Sequence, residues 1–214
     1  MAPVRESPRA SRPRVGGFRH GRVPGPVRSE QLLDVAERLF ATTGYGATSI
    51  EAIAAEAGVT RPVVYSHFGS KDGIYLACLR RARAQLEAMM FDAMAGADGL
   101  PAQIEAGADA YFRFVESDPA RWRVLFGGDA AVSGPVAEEA MQLHLGTERR
   151  FASLLADSPA AKDEQRVLAF SHAVGGAAHQ LAQWWLRTPG IPRKRIVDWY
   201  CEVTWNGVRA LVER

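Results

Sequence analysis

The stretch that decides the fold is GYGATSIEAIAAEAGVTRPVVYSHFGSKDGIY, residues 44–75. Thr48 and Glu51 form a T-x-x-E capping box that predicts the start of a short helix, and Gly58 predicts its end because glycine readily adopts a positive φ. Thr60 then predicts the cap of a second short helix. Two short helices joined by a glycine-containing turn of about three residues are typical of a helix-turn-helix.

A longer helix is predicted before this pair. Ser29 is positioned to cap its start, and Gly44 to end it. Apolar residues recur at helical spacing between them and predict one buried face: Leu32, Ala36, Leu39 and Phe40. After residue 28 the sequence has no strand-length run of alternating β-branched residues bounded by turns. The sequence therefore predicts an all-α fold, with a three-helix N-terminal domain at residues 29–79.

This N-terminal region resembles the DNA-binding domain of TetR-family transcriptional regulators. The resemblance is carried by the motifs Gly44–Thr48, Ile53-Ala54, Ala57-Gly58-Val59-Thr60 and Tyr65-x-His67-Phe68-x-x-Lys71. Two residues depart from the expected pattern. Many family members have a basic or neutral residue where this chain has Glu51, and Gly73 weakens the next helix by roughly 1 kcal/mol relative to Ala. The resemblance implies a sequence-specific DNA-binding transcriptional regulator.

The chemistry of the helix-turn-helix also indicates double-stranded DNA as the partner. A recognition helix presents its N-terminal residues to base edges, while nearby hydroxyls and cations contact phosphates. Val64 and Phe68 are four residues apart and are expected to face the core. The outward residues expected to contact bases are Arg61, Pro62 and Val63. The expected phosphate contacts are Thr48, Thr60, Tyr65, His67 and Lys71.

Each of these residues also has a purely structural interpretation. Thr48 and Thr60 would be favoured as helix caps without any DNA. Tyr65 and His67 would also suit the surface of an ordinary amphipathic helix. An arginine such as Arg61 does not by itself indicate a nucleic-acid ligand, so the hypothesis depends on the whole motif.

Composition and charge restrict the class of protein. Of 214 residues, 47% are apolar and 23% charged, which is typical of a globular protein. No run approaches the roughly 18 apolar residues of a membrane-spanning helix, and no apolar segment follows the first basic residues, so we expect a cytoplasmic protein with no membrane contact. Residues 1–28 hold seven Arg, one acid, five Pro and four Gly. They predict a disordered basic arm, either DNA-contacting or merely solubilising.

Residues 80–214 predict a second, larger helical domain, and the resemblance implies that it binds an effector and dimerises. Breaks are expected near 96–100, 118–119, 127–134, 157–159 and 188–192. Aromatic residues are frequent here and favour a small hydrophobic effector, although each could simply be a core residue. The candidate lining residues are Phe112, Trp122, Phe126, His144, Phe151, Phe170 and Trp184.

Small residues in the middle of Arg166–Leu186 indicate that another helix approaches closely. By resemblance, this helix and Arg193–Leu211 would form a homodimer interface with their symmetry mates. The candidate interface residues are Ala178, Leu181, Trp185, Tyr200, Thr204 and Gly207. The alternative is a contact within one protomer.

The sequence contains no motif that predicts a cofactor, a metal site or catalysis. His172 and His179 share a helical face, but neither has a second ligand three or four residues away, so core or interface histidines are favoured over metal ligands. A phosphate-binding glycine loop, a G-x-S-x-G elbow and an H-E-x-x-H motif are absent from the sequence. A non-enzymatic regulator is therefore predicted, with a helical protein-protein adaptor as the alternative.

The fourth helix suggests how a regulator of this kind would respond to a ligand. Lys71 near its start is expected beside the DNA, whereas Leu86, Met89, Met90 and Phe91 near its end should border the aromatic domain. The hypothesis is a repressor that a small hydrophobic ligand releases from a palindromic operator by displacing this helix.

Overall fold

The computed structural model describes residues 24–126, 134, 136–140, 142 and 163–212. Throughout those ranges the chain forms helices and no strand, which confirms the all-α prediction. The helices are α1 (Gly25–Ala47), α2 (Ile50–Glu56), α3 (Arg61–Phe68), α4 (Lys71–Ala95), α5 (Gly99–Ser117), α6 (Pro119–Phe126), α7 (Glu164–Trp185) and α8 (Arg193–Val212). Residues 136–140 are also helical. None of the helices in this described part is long and apolar enough to cross a membrane.

The first helix begins earlier in the chain than predicted. Pro24 occupies its N-cap and another proline lies in the first turn, where the missing N–H has no helical partner in any case. The predicted cap at Ser29 is therefore wrong, because Ser29 lies inside α1, and residues 25–28 are helical as well. The predicted disorder of the arm otherwise concerns residues 1–23, which lie outside the described ranges.

The junction between α1 and α2 differs from the predicted capping box by one residue. Gly44 has a φ of 78°, so the regular helix is interrupted there, as predicted. The Thr48 hydroxyl donates to the Gly44 carbonyl at 2.7 Å, and its backbone N–H bonds the same oxygen. Ser49 caps α2 instead, because its Oγ accepts from the Ala52 N–H at 3.0 Å. Thr60 is the N-cap of α3, although its side chain makes no capping bond.

The three N-terminal helices enclose a core that the helical pattern predicted correctly in its main members. Leu32, Ala36, Ile53 and Val64 are completely buried. An aromatic cluster covers one end of this core, with ring centroids 4.9–6.1 Å apart, and consists of Phe40, Tyr45 and Tyr75. Helix α3 is therefore held against a packed core through its buried Val64.

The helix α4 joins this base to the rest of the molecule. It runs without interruption from Lys71 to Ala95 and packs against α1, α5 and α6. Helix α6 contacts α1 directly, while α5 packs on α8 and α8 on α7. The boundary predicted between residues 79 and 80 falls inside α4, so this one continuous helix packs against both the N-terminal helices and the helices that follow.

Three of the predicted breaks coincide with observed helix ends, at residues 96–98, 118 and 186–192. At the second of these, Asp118 Oδ1 accepts from the Arg121 backbone N–H at 3.1 Å, which confirms that Asp118 caps α6. The remaining two breaks, near 127–134 and 157–159, fall almost entirely outside the described residues.

Candidate nucleic-acid interface

Helix α3 presents a polar outer face and an apolar inner face. Val64 is completely buried against the core, whereas Arg61, Pro62 and Tyr65 are exposed and Val63 is half-buried. Tyr65 is 49% exposed, a large fraction for an aromatic side chain. The arrangement matches what a recognition helix requires, because its reading residues lie on the side away from the core.

Arg61, the predicted reader of bases, is held by a neighbouring acid. Its Nη1 lies 2.7 Å from Glu51 Oε1, and both side chains are more than half exposed. The hydrogen bond from Arg61 lowers the pKa of the Glu51 carboxyl, so the carboxylate is charged at neutral pH. The guanidinium thus lies across the outer face of α2 and α3.

The two threonines of the predicted phosphate-binding set have different surroundings. Thr60 is exposed at the N-terminus of α3, where an anion is favoured by the helix dipole. Thr48 is only 3% exposed, and its Oγ1 also lies 2.8 Å from Thr43 Oγ1. The prediction that Thr48 contacts phosphate is contradicted, because its hydroxyl faces the interior and fixes the turn after Gly44.

His67 has a structural partner that the sequence did not indicate. Its Nδ1 pairs with Ser29 Oγ at 2.8 Å, across 38 residues of sequence. The imidazole also lies beside the Phe68 ring, with centroids 6.0 Å apart. His67 therefore anchors the end of α3 to α1, and its predicted phosphate contact stays a prediction.

Lys71 is held at the start of α4 by two contacts with the loop after Gly44. Its Nζ lies 3.2 Å from the Gly46 carbonyl and 4.3 Å from the centroid of the Tyr45 ring. The Tyr45 hydroxyl donates to Asp72. Burial, and to a smaller extent this hydrogen bond, raises the pKa of Tyr45 to about 12. These contacts fix one cation on the same side of the molecule as the α2 N-terminus.

The presence of glycine at position 73 is explained by close packing, which helix propensity alone does not indicate. A Cβ atom at this position would lie 2.0 Å from the Phe68 carbonyl oxygen, well inside van der Waals contact. The turn between α3 and α4 is therefore so tight that only glycine fits. Glycine lowers the helix propensity of α4, but it allows α3 and α4 to approach closely at this turn.

Some of the predicted effector residues form an aromatic cluster between α5, α6 and α7. The Trp122 Nε1–H donates to the Tyr111 hydroxyl at 3.0 Å, and the Trp122 ring stacks on His179 at 5.4 Å between centroids. Phe126 lies 5.4 Å from the same imidazole. Burial raises the pKa of Tyr111 above its usual value, so its hydroxyl remains protonated.

The other described lining residues have different surroundings: Phe112 packs edge-on against Tyr111 of this cluster, with ring centroids 5.2 Å apart, whereas Phe170 and Trp184 lie elsewhere. Phe112 is completely buried against Trp185 and Tyr200, and Phe170 packs toward Gly207. Trp184 is 45% exposed on the opposite face of α7. The prediction of one common lining is therefore wrong for Phe170 and Trp184, which lie on other helix faces, and it stays a prediction for Phe112. His144 and Phe151 lie outside the described residues.

Most of the predicted dimer residues are buried inside the protomer. Ala178, Trp185, Tyr200 and Thr204 are all less than one-tenth exposed in the single chain. The Trp185 Nε1–H donates to the Ile191 carbonyl at 2.8 Å, and the Tyr200 hydroxyl donates to the Val174 carbonyl at 3.3 Å. These four assignments are corrected, because the residues hold α7, α8 and α5 together. Leu181 is half-buried, and Gly207 accommodates the Phe170 ring.

The opposite face of α7 and α8 is exposed and apolar, and we call it the outer α7/α8 face. It contains Trp184, Trp199, which is 38% exposed, and Val203, which is 71% exposed. The two indole rings lie 6.5 Å apart. On α7 the face continues through exposed small residues at spacings of three and four: Ala173, Gly176 and Ala177. Three of the small residues of α7 thus lie on this exposed face, whereas the predicted interface residue Ala178 is buried within the protomer.

Within the described residues, no group of three or more His, Cys, Asp and Glu side chains is placed to hold a metal ion. His179 belongs to the aromatic cluster, whereas His172 is exposed. The two histidines that share a helical face in the sequence therefore have unrelated surroundings.

Comparison with known proteins decides the family. The family described as bacterial regulatory proteins, tetR family, matches residues 32–78. The activator FasR of Mycolicibacterium smegmatis is 30% identical over 201 residues, which are 92% of this chain and 90% of FasR. The chain belongs to the TetR family. It is accordingly a DNA-binding transcriptional regulator and not an enzyme, and TetR-family regulators usually act as dimers.

Further TetR-family proteins agree with this assignment. The regulator EthR of the same organism is 28% identical over 124 residues, which cover 58% of this chain and 56% of EthR. A TetR-like regulator from Rhodococcus sp. RHA1 superposes with a TM-score of 0.70 at 25% identity, over 87% of this chain and 98% of that one. The regulator FadR of Bacillus halodurans, at 16% identity, shares the fold with a TM-score of 0.73 over 88% and 99% of the two chains.

Proposed function

We propose that this TetR-family protein is a homodimeric repressor that binds a two-fold symmetric operator and is released by a small hydrophobic ligand. The observation that carries the proposal is the outward presentation of Arg61, Pro62 and Tyr65 on a helix whose Val64 is locked in the core. A rigidly mounted recognition helix makes base contacts reproducible, because its side chains need no rearrangement to reach the major groove.

The surroundings of each residue support separate roles in contacting bases and in contacting phosphates. Arg61 is the candidate reader of guanine, and half-buried Val63 with Pro62 offers an apolar surface to a thymine methyl group. Thr60, Tyr65 and Lys71 are the candidate phosphate contacts, since each lies at the surface near a helix N-terminus or beside α3. DNA in a bacterial cell lies in the cytoplasm, so the proposal includes a cytoplasmic location.

Dimerisation is proposed through the outer α7/α8 face. Trp184, Trp199 and Val203 expose apolar side chains next to a stripe of small residues. Two copies of this face would pack as four helices, with the backbones close together at Gly176, where an added Cβ would meet nothing within the protomer. A single short helix reads few bases, so a dimer supplies the second half-site.

The ligand is proposed to bind beside the Trp122–Phe126–His179 cluster. Two members of this cluster, Trp122 and Phe126, lie on α6, and the residue preceding Trp122 is Arg121, which bonds Glu37 of α1. A ligand that displaces α6 therefore moves a side chain attached to the DNA-binding base. Helix α4 offers a parallel route, because Lys71 is at its start and buried Leu86 and Met90 are near its end.

The proposed direction of regulation is repression, because the ligand is proposed to release the protein from its operator. A repressor covers a promoter until its ligand arrives, whereas FasR is named an activator. The two directions are separated by a reporter gene placed behind the selected operator. Deleting the regulator raises expression if it represses and lowers expression if it activates.

Filter binding with selected and scrambled DNA duplexes tests the DNA-binding proposal. Arg61→Ala should reduce the preference for the selected duplex, by about tenfold if one bidentate guanine contact per half-site is lost. Lys71→Ala should weaken both duplexes alike and reduce the salt slope by about one for each phosphate contact removed. If Arg61→Ala weakened the selected and the scrambled duplex by the same factor, as Lys71→Ala is expected to do, Arg61 would not be the reader of bases.

A further inference from the structure

The Glu51–Arg61 ion pair lies on the surface that is proposed to face DNA. The contact joins Arg61 Nη1 to Glu51 Oε1 at 2.7 Å, and the two side chains are 62% and 55% exposed. An exposed ion pair contributes little to folding stability, because water solvates both charges in either state. A carboxylate beside a polyanion also opposes binding, so neither stability nor general DNA affinity accounts for its presence.

The geometry of the pair leaves part of Arg61 able to read a base. A guanidinium has five N–H donors in a planar fork, and guanine O6 and N7 accept two of them side by side. The contact with Glu51 is made through Nη1, on the far side of the guanidinium from the Nε–Nη2 edge. The contact with Glu51 does not use that edge, which therefore keeps two N–H donors for a guanine.

We propose that Glu51 is a specificity-determining residue that acts by positioning Arg61. The Glu51 carboxylate holds the Arg61 guanidinium across the DNA-facing surface and offsets its positive charge. A contact between Arg61 and a phosphate therefore adds little binding free energy, whereas a bidentate contact with a guanine edge adds much. On non-cognate DNA the arginine stays paired with Glu51 and adds no phosphate contact. Discrimination then comes from a weakened affinity for wrong sequences as well as from the contact with the right one.

The local structure supports a fixed position for the carboxylate. Glu51 lies in the first turn of α2, two residues after the Ser49 cap, so the helix backbone fixes where its side chain begins. Bonds from Arg61, from the backbone and from Ser49 all lower the pKa of Glu51, so the charge persists at physiological pH. The proposal depends on Arg61 as the base reader and so rests on the proposed function.

Selection from a randomised library of double-stranded DNA tests this role, using the full-length protein and its Glu51→Gln variant. The glutamine keeps the shape and can still accept a hydrogen bond, but it carries no charge. We expect Glu51→Gln to raise the affinity for random DNA severalfold, to steepen its salt dependence by about one phosphate contact per protomer and to relax the guanine preference by about tenfold.

The matched control is Glu56→Gln, which removes the same charge from the same short helix. Glu56 pairs with Arg38 at 3.6 Å rather than with Arg61, so its loss should leave the guanine preference unchanged. The second control combines Glu51→Gln with Arg61→Ala. Because Glu51 is proposed to act through Arg61, it should have no further effect on base preference when Arg61 is absent.

The outcomes separate this inference from the proposed function. If the wild type selects a defined site and Glu51→Gln selects it with the same discrimination, or if Glu56→Gln has an equal effect, the inference is overturned while sequence-specific binding stands. If Arg61→Ala keeps the full base preference, both the reader assignment and this inference fail. If the wild type selects no site at all, the proposed function itself fails. Thermal unfolding of each variant shows whether it is folded.

Discussion

The carboxylate of Glu37 on α1 accepts hydrogen bonds from Arg121 on α6, with Oε2 lying 2.8 Å from Nε. Both side chains are almost completely buried, although 84 residues separate them in sequence. Arg81 on α4 bonds the same carboxylate, its Nε donating to Oε1 at 2.9 Å. One buried carboxylate thus ties together three helices that carry the DNA-binding base and the candidate ligand region.

Breaking this pair should destabilise the fold strongly. Arg121→Met removes one of the two arginine partners of Glu37. Because Arg81 remains, the loss of stability should approach but not exceed about 3–5 kcal/mol, the cost of leaving a buried charge unpaired. Urea unfolding at fixed protein concentration measures the change. Lys194→Met, which removes one member of an exposed pair with Asp198, is the control and should leave the urea midpoint almost unchanged. A similar midpoint for Arg121→Met and the wild type would show that the pair does not hold α6 on α1.

Enlarging Gly176 should prevent dimerisation and leave the protomer folded. An added side chain meets nothing within 4 Å in the single chain, but it would occupy the space between two outer α7/α8 faces. Gly176→Phe should therefore sediment as a monomer at micromolar concentration, with an unchanged circular dichroism spectrum. Val203→Glu should act in the same way, because Val203 is 71% exposed on the same face and the substitution places a charge there. Dimers of both variants would place the interface elsewhere.

Gly73→Ala should lower stability, although alanine is the better helix former by about 1 kcal/mol. The new methyl group would overlap the Phe68 carbonyl oxygen, so the turn between α3 and α4 must open. Thermal unfolding and operator binding should both be weakened. Gly25→Ala, at an open position in the first turn of α1, is the control and should show no loss. A more stable Gly73→Ala protein would mean that the turn is looser than the structure indicates.

A hydrophobic ligand should bind at the aromatic cluster and oppose the operator. Apolar compounds can be screened for thermal stabilisation of the wild type, and each hit titrated with and without operator. Linkage requires the two affinities to change by the same factor, about 5- to 150-fold for a coupling of 1–3 kcal/mol. Phe126→Ala should remove the response to such hits, because Phe126 borders both Trp122 and His179. Hits that bind Phe126→Ala normally would place the ligand elsewhere.

The sequence predicted most of the N-terminal fold because its signals are local. Turn glycines such as Gly44 and the helical spacing of buried residues such as Leu32 act within a few positions of each other. Ser49 was missed because two adjacent hydroxyl residues both suit an N-cap, and only the bond between Thr48 and Gly44 decides between them. Local patterns place a cap to within one residue and no better.

The errors in the second domain have a different origin. Helical spacing shows which residues share a face but not whether that face meets another helix of the same chain or of a second copy. Tyr200 and Trp184 are both aromatic residues on amphipathic helices, yet one is buried within the protomer and the other is 45% exposed. The Glu37–Arg121 pair was likewise missed, because its partners are distant in sequence and charged residues are ordinarily exposed.

The symmetry of the selected DNA site tests the central claim most directly. The proposed dimer with one outward recognition helix per protomer predicts an inverted repeat whose half-site centres are about 34–36 Å apart, or a multiple of that distance. Selection from a randomised duplex library, followed by sequencing and by sedimentation of the complex, gives both the repeat and the number of protomers bound. An inverted repeat occupied by an even number of protomers is the predicted result. A single asymmetric site bound tightly by one protomer would contradict the account.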